Sequence, residues 1–256
     1  MSYPRDRAVE IIGPELVTQR GVGVVAPFDF ALDRELWRWA PDDISLYVTR
    51  LPFVPVPVTV EMAAELSDPE RVRRATADVL APEPLVVTFA CASASFVGGR
   101  TGEHTLTQSM VDAGAPRATT TSGGLIDALG MLGLRRIAVV TPYIDSVTDR
   151  LLTYLGEYGI EVVSSVGLGL LDHIWKVGYA EIVQAVTAVD VPEADGLFIS
   201  CTNVPTYDII GPLERWLNKP VLTANQVTMW SALRQIDSPM MAAGQWLSEI
   251  TETHAA

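Results

Sequence analysis

Short apolar runs alternate with helical patterns along the chain. Seven runs read as strands: Val22–Ala26, Ile44–Arg50, Leu85–Phe89, Ile137–Thr141, Glu161–Val166, Gly196–Ser200 and Pro220–Leu222. Val, Ile, Leu and Phe dominate most of them with little alternation, as in parallel strands covered on both faces. Between them, Asp68–Leu80, Glu103–Ala113, Ser122–Leu132, Ser146–Tyr158, Tyr179–Val189 and Tyr207–Leu217 carry helical patterns. Ser67-Asp-Pro69-Glu70 reads as a helix start, with a small polar cap, proline in the first turn and an acid beside it. The alternation predicts parallel α/β structure with right-handed crossovers. Val54-Pro-Val-Pro57 interrupts it once, as an extended segment over one edge.

The pattern also repeats. Val24-Val25-x-Pro27-Phe28 returns as Val139-Val140-x-Pro142-Tyr143, 115 residues later, and a strand ending in cysteine occurs at Cys91 and again at Cys201, 110 residues later. Two landmarks in the same order at nearly one offset predict two similar α/β halves related by a pseudo-dyad. Coincidence is the weaker explanation, because apolar strands ending at small residues are common but the repeated Val-Val-x-Pro-aromatic is not.

Composition narrows the chemistry. With 48% hydrophobic and 19% charged residues, the 256-residue chain is neither disordered nor fibrous, and its length suits one large or two small domains. No apolar stretch reaches the ~20 residues of a membrane helix, and Met1–Arg7 has no apolar leader core, so neither a membrane nor a secretory signal is expected. Two cysteines make no disulfide framework, which places the protein in a reducing cytoplasm. Thirty-one acids against 18 bases give a net charge of −13, which repels phosphate backbones and argues against nucleic acid. The three histidines and two cysteines show no ligand spacing. Lys176 and Lys219 are poorly placed for a Schiff base. Gly21-Val-Gly23 precedes its apolar run, and Gly167-Leu-Gly169 lacks a third glycine and reads as a plain loop. The expectation is a protein with no metal and no cofactor.

A lone cysteine is usually inert core, but these two stand at equivalent strand ends, where open α/β sheets place ligand sites. Each precedes small and hydroxylic residues, Cys91-Ala-Ser-Ala-Ser95 and Cys201-Thr-Asn203. Such loops turn backbone N–H groups toward one point as an anion nest, and Ser93, Thr202 and Asn203 add side-chain donors. The following helix dipoles favour negative charge there, and the same field is expected to lower the thiol pKa. Two thiols facing one carbon of a carboxylate suit racemisation, epimerisation or cis–trans isomerisation; decarboxylation followed by protonation needs only one. Sulfurs serving one carbon from opposite faces would lie roughly 6–8 Å apart.

From about Arg20 to Leu233 the chain resembles the aspartate/glutamate racemase superfamily, and within it the maleate isomerase and arylmalonate decarboxylase branch. The resemblance rests on Ala90-Cys-Ala-Ser93, Thr119-Thr-Thr-Ser-Gly-Gly124, Val139-Val-Thr-Pro-Tyr143, Ser200-Cys-Thr-Asn203 and Pro220-Val-Leu-Thr-Ala-Asn-Gln226, weak singly and specific in this order. Cys201-Thr-Asn-Val-Pro-Thr-Tyr-Asp208 and Thr223-Ala-Asn-Gln-Val-Thr-Met-Trp230 are also similar to ectoine-utilisation proteins of this superfamily. The resemblance implies two pseudo-symmetric Rossmann-like halves, each a four-stranded parallel sheet flanked by helices, at residues 21–118 and 119–223. It also implies that the helical segment 225–250 packs back on the first half and that the site lies between the halves.

Carried onto this chain, the family pattern makes Cys91 the thiol that adds to a double bond and Cys201 the acid, with a carboxylate held by Ala92, Ser93, Thr202 and the Tyr143 hydroxyl. Arylmalonate decarboxylases have glycine in place of the first cysteine, so Cys91 favours a two-thiol reaction. Two asparagines that bind a second carboxylate in maleate isomerases are replaced, one by Phe30 and one around Asp172-His173. Phe30 would then be an apolar wall at the far end, and His173 either a donor into the site or a hydrogen-bonded residue at a helix start. The leading expectation is a two-cysteine isomerase or racemase of a small carboxylate, in a homo-oligomer. The alternatives are an arylmalonate-type decarboxylase using Cys201 as proton donor and a non-catalytic carboxylate-binding protein.

Overall fold

Eight strands form two sheets in the computed structural model, which describes residues 17–242 and 244–249. The first sheet holds β1 (Arg20–Ala26), β2 (Ile44–Arg50), β3 (Val86–Phe89) and β4 (Ala118–Thr120), in the order β2-β1-β3-β4. The second holds β5 (Arg136–Thr141), β6 (Glu161–Gly167), β7 (Gly196–Ile199) and β8 (Val221–Thr223), in the order β6-β5-β7-β8. Every pairing is parallel. One topology is therefore used twice. The Val-Val-x-Pro strands β1 and β5 hold equivalent places, as do β3 and β7, which lead into the cysteines.

Coverage explains the hydrophobic pattern. β1, β3, β5 and β7 are buried almost throughout, whereas the edge strands β2 and β6 keep partly exposed positions. The first half contributes helices α1 (Asp33–Trp37), α2 (Val60–Leu66), α3 (Pro69–Val79), α4 (Ala92–Phe96) and α5 (Gly99–Asp112). Then come α6 (Thr121–Leu132), α7 (Asp145–Glu157), α8 (Tyr179–Val189), α9 (Tyr207–Leu217) and α10 (Ala224–Arg234). α3 starts as its sequence suggests: Pro69 occupies the first turn and the Asp68 carboxylate accepts from Glu70 N at 2.9 Å.

The repeat extends to a third landmark. Thr120 caps α6 by accepting from Gly123 N at 2.9 Å, and Thr223 caps α10 by accepting from Gln226 N at 3.4 Å. The two helices pack on one another, joined by the hydroxyl pair Thr121–Thr228, while Thr119 of β4 pairs with Ser231 of α10, each at 2.7 Å. Gly124 permits this approach, since a Cβ there would meet the Val227 carbonyl oxygen at 2.7 Å. α10 also lies against β3 and β4. Because β4 runs to Thr120, Thr119 and Thr120 belong to the first sheet. Residues 243 and 250 of the segment expected to return to the first half, the leader region Met1–Arg7 and His254 lie outside the described residues. Among the described residues no helix is long and apolar enough to cross a membrane.

Glu214 on α9 ties down the chain after α10. Its buried carboxylate accepts from Val221 N and from Trp246 N, both at 3.1 Å. Burial pushes its pKa from 4.5 up to about 7. Folding thus takes up a proton between those values. This contribution to stability is greatest below the unfolded value and is lost as pH rises through about 7. A shift of that size corresponds to on the order of 3 kcal/mol. Glu214→Gln is expected to flatten the fall in melting temperature between pH 5 and pH 8, read by calorimetry at both values.

Candidate active site

Between the two sheets, Cys91 and Cys201 line one cavity, together with Pro27, Asp29, Val58, Met62, Leu66, Ala92, Ser93, Tyr143, Ile174, Thr202 and Asn203. Its volume of about 20 Å³ is little more than one water molecule needs. At its Val58 wall, Val58 N donates to the Leu171 carbonyl at 2.8 Å, joining the segment before α2 to the loop after β6. A cavity of this volume must enlarge to admit a substrate.

Cys91 leaves β3 and stands immediately before α4 in extended conformation, with Ser93 Oγ 3.9 Å from its sulfur. Cys201 leaves β7 at φ +84°, in the left-handed region that a residue with a Cβ occupies at a cost. That turn brings its sulfur to 3.4 Å from Asn203 N, which donates to it, and beside the Tyr143 hydroxyl. Both Cys201→Gly and Cys201→Ala should remove activity. Glycine, free of the strain, should leave the protein up to ~1 kcal/mol more stable than alanine does; equal denaturation midpoints would show that no strain is held there.

Burial dominates the electrostatics. It pushes both thiols up to about 12, against the smaller pull of the Tyr143 hydroxyl and the N–H groups of Asn203 and Val204 on Cys201, and of Ala94 N–H on Cys91. The expectation of lowered thiol pKa values is therefore corrected: the nests are present, but desolvation outweighs them in this small cavity. Each thiol is also raised by the negative charge of Asp29. Burial, then the two sulfurs, raises the Tyr143 hydroxyl well above its ordinary value, so it remains a donor.

Tyr143 is placed by glycines that the sequence reading treated as a plain loop. Gly169 N, at φ +71°, donates to the Tyr143 carbonyl at 3.1 Å, and a Cβ on Gly167 would lie 2.5 Å from that same oxygen. Gly167→Ala should displace the hydroxyl and lower turnover on the order of 100-fold, with Tyr143→Phe as the reference for complete loss of the contact.

Ala92, Ser93, Tyr143, Thr202 and Asn203 all reach the cavity, but two of them are engaged across the halves. Thr202 Oγ1 donates to the Ala90 carbonyl at 3.2 Å. Asn203 donates from Nδ2 to the Asp29 carbonyl at 3.2 Å and accepts from Ala31 N at 2.9 Å. Asn203 thus shapes the loop after β1. Phe30 is not where the sequence reading put it, and His173 takes the second of its two expected places, at the start of a short helical turn, Ile174–Lys176. Phe30 N closes a turn onto the Pro27 carbonyl at 3.1 Å, which buries the Phe30 ring in the core and leaves Asp29 at the cavity. With Phe30 absent from the wall, the argument from it against a second carboxylate falls. His173 sits at φ +51°; its half-exposed ring faces Asp172 at 3.0 Å and Trp175, while Ile174 reaches the cavity instead. Among the described residues no group of three or more His, Cys, Asp or Glu side chains could hold a metal ion.

Paired parallel sheets that each bring a cysteine to one interior cavity put the chain in the racemase superfamily, in its maleate isomerase and arylmalonate decarboxylase branch. The arylmalonate decarboxylase family model matches residues 67–247, and the chain belongs to that family. It is 33% identical over 153 residues to arylmalonate decarboxylase from Bordetella bronchiseptica, a match covering 58% of this chain and 64% of that protein, less than two thirds of its length. It is 29% identical over 180 residues to maleate isomerase from Nocardia farcinica, covering 67% and 71%. The maleate isomerase Iso from Pseudomonas putida S16 superposes with a TM-score of 0.82 at 24% identity, over 91% of this chain and all of that one. A liganded arylmalonate decarboxylase double mutant superposes at 0.74 with 28% identity, over 85% and 92%.

Proposed function

We propose that the protein is a cofactor-independent enzyme that isomerises or racemises a small carboxylate with Cys91 and Cys201. The observation that carries this is the delivery of a thiol from each half into one small cavity beside the Tyr143 hydroxyl. In a racemisation, one sulfur as thiolate takes the proton from the carbon beside the carboxylate. The electron pair passes into the carboxylate as an enediolate, and the opposite thiol returns a proton to the other face. In a cis–trans isomerisation, the thiolate forms a C–S bond to one alkene carbon and the pair moves to its neighbour. Rotation about the single bond follows, and the pair returns as the C–S bond breaks. A Nocardia farcinica maleate cis-trans isomerase mutant holds a covalently bound succinylcysteine intermediate, which supports the second course. Tyr143 and Ser93 are the donors for the developing negative oxygen in either case. Both thiols are protonated at rest, so the thiolate forms only with substrate in place.

The family match favours a second reading, decarboxylation: the C–CO₂ bond breaks, its pair remains as an enediolate, and the Cys201 thiol protonates it, with Cys91 dispensable. Wild type and Cys91→Ser, offered maleate and phenylmalonate, separate the two. Loss of all turnover in Cys91→Ser supports the two-thiol enzyme; CO₂ release that survives in Cys91→Ser establishes the decarboxylase.

A further inference from the structure

We propose that Asp29 selects a substrate carrying an ammonium group close to its carboxylate. The inference rests on the two-thiol reading and names the substrate class of that site. Asp29 is the one acidic side chain lining the cavity, and among the described residues no lysine, arginine or histidine lines it. No cation acts on its carboxyl, which burial raises and only an Asn203 contact and a backbone hydrogen bond lower. Its position is built. The turn after β1 presents it, and Asn203, from the other half, holds that turn through the Asp29 carbonyl and Ala31 N.

The cavity is therefore lined by neutral donors, Tyr143 and Ser93, and by one acid, Asp29. That is the complement of a zwitterion. A dicarboxylate would set its second negative charge against Asp29, an unfavourable juxtaposition that discriminates between ligands. The thiols add an independent reason. Asp29 already disfavours thiolate at both sulfurs, and a second substrate carboxylate would do so further. A bound cation would offset Asp29 and bring the nearby thiols down toward ionisation. Asp29 is thus a specificity-determining residue: it recognises a group of the substrate that does not react.

The test compares binding of 2-, 3- and 4-aminobutyrate with butyrate and ethylmalonate, by calorimetry, to wild type, Asp29→Asn and Cys201→Ser. At least one aminobutyrate should bind wild type about 10-fold or more tightly than both butyrate and ethylmalonate. Asp29→Asn should weaken that aminobutyrate by on the order of 100-fold and strengthen ethylmalonate. Cys201→Ser should keep the wild-type order while losing proton exchange with D₂O. Ethylmalonate or butyrate binding wild type as well as every aminobutyrate, no aminobutyrate binding, or an unchanged order in Asp29→Asn overturns the proposal. The wild-type comparison decides even where the variant fails to fold. A charge preference that holds while Cys201→Ser still exchanges protons would remove the thiol reading alone.

Discussion

Cys91→Ser and Cys201→Ser should each lower turnover by at least ~10²–10⁴-fold, the share of a rate that one positioned acid or base supplies. Neither should move the melting temperature by more than a few degrees. A serine hydroxyl is nearly the size of a thiol but is a far weaker acid and nucleophile at neutral pH. The double variant should be little worse than either single one, because groups that act as a unit are not additive. Full activity in the Cys201 variant would remove that sulfur from any role, since both the two-thiol and the one-thiol readings require it.

The second large effect concerns the join between the halves. Glu35 on α1 is buried, and its Oε1 accepts from Thr206 N at 2.9 Å, Thr206 Oγ1 at 2.8 Å and Tyr207 N at 2.9 Å, at the start of α9. Glu35→Ala strands those donors away from water and should cost about 3 kcal/mol. The neighbouring ion pair Arg38–Asp208 crosses the same seam with atoms 2.5–2.8 Å apart, but on the surface. Arg38→Ala should cost less than 1 kcal/mol by the usual measure of exposed pairs, about 0–1 kcal/mol. Chemical denaturation of both variants checks the contrast; similar losses would mean that burial does not set the strength of the seam.

The buried strands were readable because full coverage leaves a continuous apolar run, and the repeat exposed the relation between the halves. β4 was not: its Thr119-Thr120 pair is polar, and the strand is three residues long. α1 and α4, five residues each, are too short for a helical period to show. The Thr120 and Thr223 caps are equivalent in space but share no flanking pattern in the sequence. The cysteines and Tyr143 were legible because they close repeated strands. Phe30 was misplaced, and the choice left open for His173 could not be made, because a single turn or one left-handed residue decides which neighbour faces the cavity. Asp29 and Ile174 took those places. The raised thiols were not legible either, since their burial depends on cavity walls drawn from segments far apart in sequence, Val58 and Met62 on one side of the chain and Ile174 on the other.

The claim that two sulfurs serve one small space is tested most directly by the mass of the intact chain after prolonged treatment with iodoacetate at pH 9, with peptide mapping and activity on the same sample. One carboxymethyl group per chain, divided between Cys91 and Cys201 but never on both, with activity lost in proportion, is the result this structure requires. Two groups on one chain, or labelling that spares activity, would contradict it.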